Sequence, residues 1–233
     1  MRTTPPPPLD ITDFFPELRP LARRTVRLHP RRDGETGLGE SKLGGTFLWP
    51  VSEPWPVCTV GHVASEPQRS QDEELLLQEW RMVGNHLLGN HPPSRPAGQP
   101  HGAYVGVMQL RAADVPELGF PDGCDLFQLL WCPRDHLPHY SPHLRVYWRQ
   151  AANVSAVLQD VPVPTVFDPN YMPRVCSFAS ERVREYSDIR DVSDDLRRRI
   201  WEWEETEAAQ GYSYQYHLSV APGTKVGGHV GWT

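Results

Sequence analysis

The sequence predicts an α+β protein built from two related halves, and two observations carry this prediction. Strand-like and helix-like segments follow in the order strands, helix, strands, helix, strand, which favours α+β over a regular βαβ repeat. Lysine occurs only twice among the 23 basic residues, and both copies lie in matching motifs. The motifs read Ser41-Lys42-Leu43-Gly44-Gly45 and Thr224-Lys225-Val226-Gly227-Gly228.

The predicted strands are short and separated by turns. Residues 25–28 alternate polar and apolar side chains, as a half-buried strand does. Residues 104–110 form an apolar run, and the turn pair Asp122-Gly123 precedes a second apolar run at 126–131. Further strand candidates are 144–148, 154–158 and 212–220. Together these strands predict a mixed, largely antiparallel sheet.

Two segments predict the main helices. Within 71–88, apolar residues recur at steps of four, three and four, which is the spacing of one helix face. Within 193–210, Ser193 can cap the first turn, and Asp194 and Asp195 lie where the helix dipole favours negative charge. Gly211 can end this helix.

Composition limits the class of protein. The net charge is −6 at pH 7, which argues against a nucleic-acid partner. The longest apolar stretch, 103–110, is too short to cross a membrane, and the N-terminus does not resemble a signal peptide. These features favour a cytoplasmic protein with reduced cysteines. Residues 1–9 contain four consecutive prolines and predict a disordered tail, whereas 10–233 form a single domain.

The duplicated motif predicts a tight turn that enters a strand. Adjacent glycines permit positive φ angles and close backbone approach. The preceding lysine could reach carbonyl groups or a buried carboxylate, or it could face solvent and hold a ligand; the first interpretation is favoured. On the second interpretation, the candidate ligand-binding residues are Lys42, Gly44, Gly45, Trp49, Trp55, Lys225, Gly227, Gly228, His229 and Trp232.

These motifs and their neighbours resemble the YwqG-like family, bacterial proteins of unassigned function. The resemblance rests on the first motif with Leu48-Trp49-Pro50 and Glu53-Pro54-Trp55-Pro56-Val57-Cys58, on Val107-Met108-Gln109-Leu110, on Pro121-Asp122-Gly123 with Leu126-Phe127-Gln128, and on Ser219-Val220-Ala221-Pro222-Gly223 before the second motif. It extends from about residue 25 to the C-terminus and implies a barrel-like sheet of two related halves. Family members usually continue past the second motif, so a C-terminally truncated domain is an alternative to a short member.

A metal site has weak support in the sequence. Cys132, His136, His139 and His143 offer four possible ligands within twelve residues, on a loop that its prolines keep from becoming a helix. Their spacing matches no established zinc motif, and Cys58 with His62 gives a weaker signal still. No metal and no cofactor is therefore predicted.

The function predicted from these features is a non-enzymatic module that binds a small molecule or a protein partner. The nucleotide-binding glycine motifs, the hydrolase nucleophile elbow and the zinc-protease motif do not occur in the sequence. One alternative is an enzyme of unassigned class, with Lys42, Lys225, His229 and Asp122 in a cleft between the halves. Another is a toxin-neutralising protein of the immunity type.

Overall fold

The computed structural model describes residues 4–32, 36–62 and 102–231. The chain divides into two compact units. The terminal unit comprises Met1–His29 with Ala179–Thr233, and the central unit comprises Pro30–Phe178. Both contain antiparallel sheet and there are few helices, so the α+β prediction is confirmed. The predicted helix at 71–88 lies outside the described residues.

The central unit contains a four-stranded sheet in the order β2-β3-β4-β5. Its strands are β2 (Lys42–Leu43), β3 (Val105–Arg111), β4 (Leu126–Trp131) and β5 (Leu144–Arg149). Each adjacent pair is antiparallel, and Val105 lies opposite Trp131 across β3 and β4. A register shift interrupts this pairing between Gly106 and Met108.

The terminal unit contains a three-stranded sheet and the α-helix. The sheet order is β6-β1-β7, with β1 at Arg23–Arg31, β6 at Ser177–Glu185 and β7 at Lys225–Gly227. Helix α1 spans Asp194–Glu204, and Ser193 accepts a hydrogen bond from the Leu196 amide, as predicted for its cap. Its apolar face packs in a core with the N-terminal segment, through residues that include Phe15, Leu18, Leu196, Ile200 and Trp203.

The remaining helical elements are short. Six of the described segments are 3₁₀ helices: Ile11–Asp13, Pro16–Leu21, Pro116–Leu118, Ala151–Asn153, Pro169–Tyr171 and Glu207–Ala209. One π-helical turn spans Tyr214–Leu218. Three of these six 3₁₀ helices begin at proline, which fixes φ near the helical value and needs no amide partner in a first turn.

Most of the strand predictions are confirmed, and two are wrong. The predictions at 25–28, 104–110, 126–131 and 144–148 coincide with β1, β3, β4 and β5. Residues 154–158 do not form a strand, because only Val157 makes an isolated bridge, to Pro50. Residues 212–220 form a helical turn instead: Tyr214 and Leu218 are buried four residues apart, and Tyr216 is 83% exposed.

The helix predicted at 193–210 begins where expected but ends early. After Glu204, the Thr206 hydroxyl donates to the Trp203 carbonyl, so a side chain takes an acceptor near the helix end. Within the described residues neither sheet closes on itself, and the barrel-like architecture stays a prediction.

The second diglycine lies against a buried carboxylate, which makes Gly228 a sensitive position. A Cβ atom there would lie 1.9 Å from Glu185 Oε1, at a φ of +77°. Gly211 has a φ of +76° with nothing within 4 Å, so it is a matched control for the backbone alone. We expect Gly211→Ala to lower the free energy of unfolding by about 1 kcal/mol and Gly228→Ala by about 3 kcal/mol or more. Equal losses in denaturant titrations would contradict this packing.

Stability of the terminal unit should also depend on Glu181. Its carboxylate accepts hydrogen bonds from the Thr4 amide at 2.8 Å and the Thr4 hydroxyl at 2.5 Å, and it pairs with His29 at 2.8 Å. These bonds, chiefly those from Thr4 and His29, lower the pKa of Glu181 from 4.5 to about 2. The unfolded chain therefore binds this proton first as pH falls, and the stabilisation present above pH 4.5 is lost toward pH 2.

We expect Glu181→Gln to remove part of the acid sensitivity. The unfolding free energies of wild type and variant should be measured from pH 6 to pH 2.5. The difference between them should be largest near pH 6 and should shrink as the pH falls. Parallel curves would show that Glu181 does not titrate as this geometry requires.

Candidate metal centre

Two Cys-x-x-x-His segments meet in the central unit. One runs from Cys58 to His62, and the other runs from Cys132 to His136. Their four ligand atoms all lie within 4.8 Å of one another. Each segment provides two metal-binding side chains, so the cluster of four requires both segments.

Backbone pairing positions both cysteines. Cys132 directly follows β4, and its amide donates to the His143 carbonyl at 2.9 Å. The Cys58 amide donates to the Gly102 carbonyl at 2.7 Å, three residues before β3 begins. Because β3 and β4 are antiparallel, these two positions lie at the same end of the sheet.

The two segments are cross-paired. Cys58 Sγ lies 3.3 Å from His136 Nε2, and Cys132 Sγ lies 3.3 Å from His62 Nε2. His62 and His136 also form an antiparallel bridge, with ring centroids 4.8 Å apart. A tetrahedral zinc ion with Zn–S near 2.3 Å and Zn–N near 2.0 Å would set sulfur and nitrogen ligands about 3.5 Å apart. These two sulfur–nitrogen separations are therefore close to those of a closed zinc site, and all four ligand atoms lie within 4.8 Å.

The orientation of His136 suits metal binding. Its Nδ1 lies 3.2 Å from the Ser141 carbonyl oxygen, which can only accept a hydrogen bond. The proton of a neutral ring is therefore assigned to Nδ1, which leaves the Nε2 lone pair directed into the cluster. An imidazole whose second nitrogen donates to a carbonyl is the usual arrangement at metal sites.

Burial favours the uncharged forms of Cys132 and His62. Cys132 is fully buried, and Cys58 is 9% exposed. Burial first, and then the neighbouring Cys58, raises the pKa of the Cys132 thiol to about 12. Burial, Arg134 and His136 lower the pKa of His62. A cation that enters this site therefore has to displace the proton of the Cys132 thiol, whereas it would meet a His62 ring that favours the neutral form.

The four ligands differ from the set that the sequence suggested. Cys132 and His136 belong to the cluster, but His139 is exposed on the loop and is not among the gathered residues. His143 lies outside the group of four, with its Nδ1 2.6 Å from the Tyr104 hydroxyl oxygen. The other two members of the cluster are Cys58 and His62. Their spacing repeats that of Cys132 and His136, and this repetition was the one sequence signal that could have identified them.

The first lysine–diglycine turn is engaged within the central unit. Lys42 is fully buried, and its Nζ donates to the Gly37 carbonyl at 2.7 Å. Gly44 and Gly45 have φ angles of +62° and +75°, and a Cβ at Gly44 would lie 2.8 Å from the Arg174 carbonyl oxygen. The glycines therefore permit a close backbone approach that other residues would obstruct.

The aromatic candidates near that turn are core residues. Trp49 is fully buried and Trp55 is 7% exposed. The Trp49 indole donates to the Glu53 carbonyl at 2.9 Å, and the Trp55 indole donates to the Tyr104 carbonyl at 2.8 Å. Both rings belong to the apolar cluster that also contains Cys58 and Cys132.

The glycines of the second turn also have positive φ angles, but its lysine has a different partner. Gly227 and Gly228 have φ angles of +75° and +77°. Lys225 Nζ donates to both oxygens of the buried Glu185 carboxylate, at 2.8 and 2.7 Å, and to the His229 carbonyl at 2.6 Å. The His229 amide also donates to Glu185. One lysine thus reaches a carbonyl and the other a buried carboxylate, the two structural roles proposed from the sequence.

The remaining candidates are placed as follows. Asp122 is exposed in the turn before β4, and Trp232 lies outside the described residues. The described members of the two motifs make contacts within their own unit, which favours a structural role. Ligand binding by these residues stays a prediction.

Comparison with known proteins assigns no family. No protein-family model matches the chain, and no curated protein matches it. Membership of the YwqG-like family therefore rests on the sequence motifs alone and stays a prediction. No helix among the described residues is both long enough and apolar enough to cross a bilayer.

The buried position of Lys42 makes a prediction about alkaline stability. Burial lowers the pKa of Lys42 from 10.5 to about 8. Between these values the unfolded chain binds more protons than the folded chain, so the contribution of Lys42 to stability rises with pH. We expect the stability of wild type relative to Lys42→Met to increase between pH 8 and pH 10.5, measured by urea unfolding. A constant difference would show that the ammonium stays charged in the folded protein.

Proposed function

We propose that this protein is a non-enzymatic binding module whose central unit is closed by a structural zinc ion. The observation that carries the proposal is the convergence of Cys58, His62, Cys132 and His136 within 4.8 Å. Thiolate and imidazole ligands in equal number are typical of tetrahedral zinc. Four protein ligands would fill that coordination and leave no position for a substrate, which supports a structural over a catalytic metal.

The metal would join segments that are distant in the sequence. Cys58 and His136 are separated by 78 positions, and His62 and Cys132 by 70. An ion that binds the folded state alone adds to its stability by mass action. The zinc therefore holds two loops at one end of the sheet and gives the module a rigid surface there.

The lysines support binding over catalysis as the function. A catalytic lysine needs an accessible, uncharged amine, whereas Lys42 is fully buried and Lys225 is bonded to Glu185. Three further parts of this proposal follow from the sequence: a small-molecule or protein partner, a cytoplasmic location, and a YwqG-like, barrel-like architecture. The enzyme and immunity-type alternatives remain open.

The test is the metal content of the purified protein. We expect native mass spectrometry to show one zinc ion per chain, and the same spectrum reports any retained ligand and the oligomeric state. Removing zinc with a chelator should lower the melting temperature, and added zinc should restore it. A metal-free protein whose melting temperature is unchanged by added zinc would refute the proposal.

The cysteines provide matched variants. Cys58→Ser and Cys132→Ser each remove a ligand, and we expect both to reduce zinc binding by at least 100-fold. Cys124→Ser removes a thiol that is half-buried and is not one of the gathered residues. It should bind zinc like the wild type. Equal zinc binding in Cys124→Ser and Cys132→Ser would place the metal elsewhere.

A further inference from the structure

We propose that the four consecutive prolines Pro5–Pro8 are a docking segment for a partner domain whose aromatic groove binds a polyproline II helix, as the grooves of SH3 and WW domains do. This inference rests on the part of the proposed function that assigns a protein partner, and it does not use the zinc site. The segment belongs to the terminal unit, and every contact that carries the inference lies within that unit.

Proline itself determines the backbone of this segment. The ring fixes φ at about −65°, and a residue that precedes a proline is restricted to extended conformations. Residues 4–7 each precede a proline, so this stretch favours a polyproline II helix over an α-helix. The chain then bends at Pro8 and Leu9 and enters the 3₁₀ helix Ile11–Asp13.

The prolines are presented to solvent. All four side chains of Pro5–Pro8 are exposed. Among the described residues, no group donates a hydrogen bond to their carbonyl oxygens. A partner can therefore reach both the apolar rings and the carbonyl acceptors of the segment. Aromatic grooves use these two features, because tryptophan and tyrosine offer an apolar ring together with a hydrogen-bond donor.

Both ends of the segment are anchored to the terminal unit. At one end, the Thr4 amide donates to the two oxygens of Glu181 at 2.8 and 2.9 Å, and Arg27 donates to the Thr4 hydroxyl. At the other end, Ile11 is 1% exposed and belongs to the apolar core. Because both ends are fixed, the prolines lose less conformational entropy on binding than those of a free peptide would.

The spacing of the prolines suits such a groove in one register. A polyproline II helix has about three residues per turn, so Pro5 and Pro8 share one edge of the bound helix and Pro6 lies on another. Arg2 precedes Pro5 by the same interval in the sequence. A groove that is one turn longer would meet its guanidinium, for which a carboxylate is the matching group. We therefore expect aromatic pockets for two prolines, with an acidic side chain beyond them.

The experiment titrates two isotopically labelled probes with the full chain and follows their NMR signals. One probe is an SH3 domain that accepts an arginine before its two prolines, and the other is a WW domain. The double variant Pro5→Ala, Pro8→Ala removes both rings of the docking edge, whereas Pro6→Ala is the matched control. We expect wild type to shift the groove signals of the SH3 domain. The dissociation constant should rise at least about 10-fold in the double variant and less than about threefold in Pro6→Ala.

A further variant tests the anchor. Glu181→Ala releases Thr4 and leaves every proline in place. We expect it to weaken SH3 binding by about threefold, because the released segment has more conformational entropy to lose. The titration is made well below the melting temperature of this variant. Unchanged or tighter binding would overturn the contribution of the anchor. The proline variants change exposed residues only, and melting curves that match wild type verify that they fold.

The outcomes distinguish this inference from the proposed zinc site. Binding to neither probe, or equal affinities of the double variant and Pro6→Ala, would overturn the docking segment. Binding to the WW domain alone would overturn the role of Arg2. Zinc content is read from native mass spectra of the same samples. Zinc-loaded protein that binds neither probe refutes only the docking segment, and metal-free protein that binds the SH3 domain refutes only the zinc site.

Discussion

The register of β3 against β4 determines where the candidate metal ligands lie. Val105 faces Trp131 in this pairing, so the chain before β3 and the chain after β4 meet at one end of the sheet. Residues 56–58 pair with 102–104 and bring Cys58 to that end, where Cys132 follows β4. A slip of one residue would turn these side chains to the opposite face. The position of the candidate site therefore depends on the pairing of β3 with β4 and of residues 56–58 with 102–104.

A bulge sets this register, and a glycine permits it. The pairing shifts between Gly106 and Met108. A Cβ at Gly106 would lie 2.9 Å from the fully buried ring of Phe47. Phe47 thus occupies the space that a side chain on β3 would take, and it follows the first diglycine turn by two residues. Strand register, diglycine turn and apolar core therefore meet at Gly106 in the central unit.

Elements with a local residue pattern were predicted correctly from the sequence. Elements whose structure depends on a contact with distant residues were predicted wrongly or missed. β4 and α1 were predictable, since an apolar run and a capped amphipathic segment need no information from elsewhere. The alternation at 212–220 predicted a strand, but Tyr214 donates to the Ser187 carbonyl at 2.7 Å and is buried with Leu218 on one helical face. β6 was missed because its buried Glu185 does not follow an apolar pattern: its burial depends on Lys225, 40 positions away.

The same distinction explains the candidate site. Local spacing identified Cys132 and His136, but it extended the set along the loop to His139 and His143, because neighbouring residues are all that a motif can describe. The correct partners are 70 and 78 positions distant. Repetition of Cys-x-x-x-His was visible in the sequence, yet only the pairing of β3 with β4 shows that the two copies meet.

Charge balance gives a physical reason for two thiolates and two imidazoles at this place. A divalent cation with two thiolates and two neutral imidazoles has no net charge, so it can be buried beside Trp55 and Leu130 without a counterion. A third thiolate, or a carboxylate, would leave a negative charge in that apolar cluster and would require a cation. Hydrogen bonds can then act on individual ligands, as the Ser141 carbonyl does on His136.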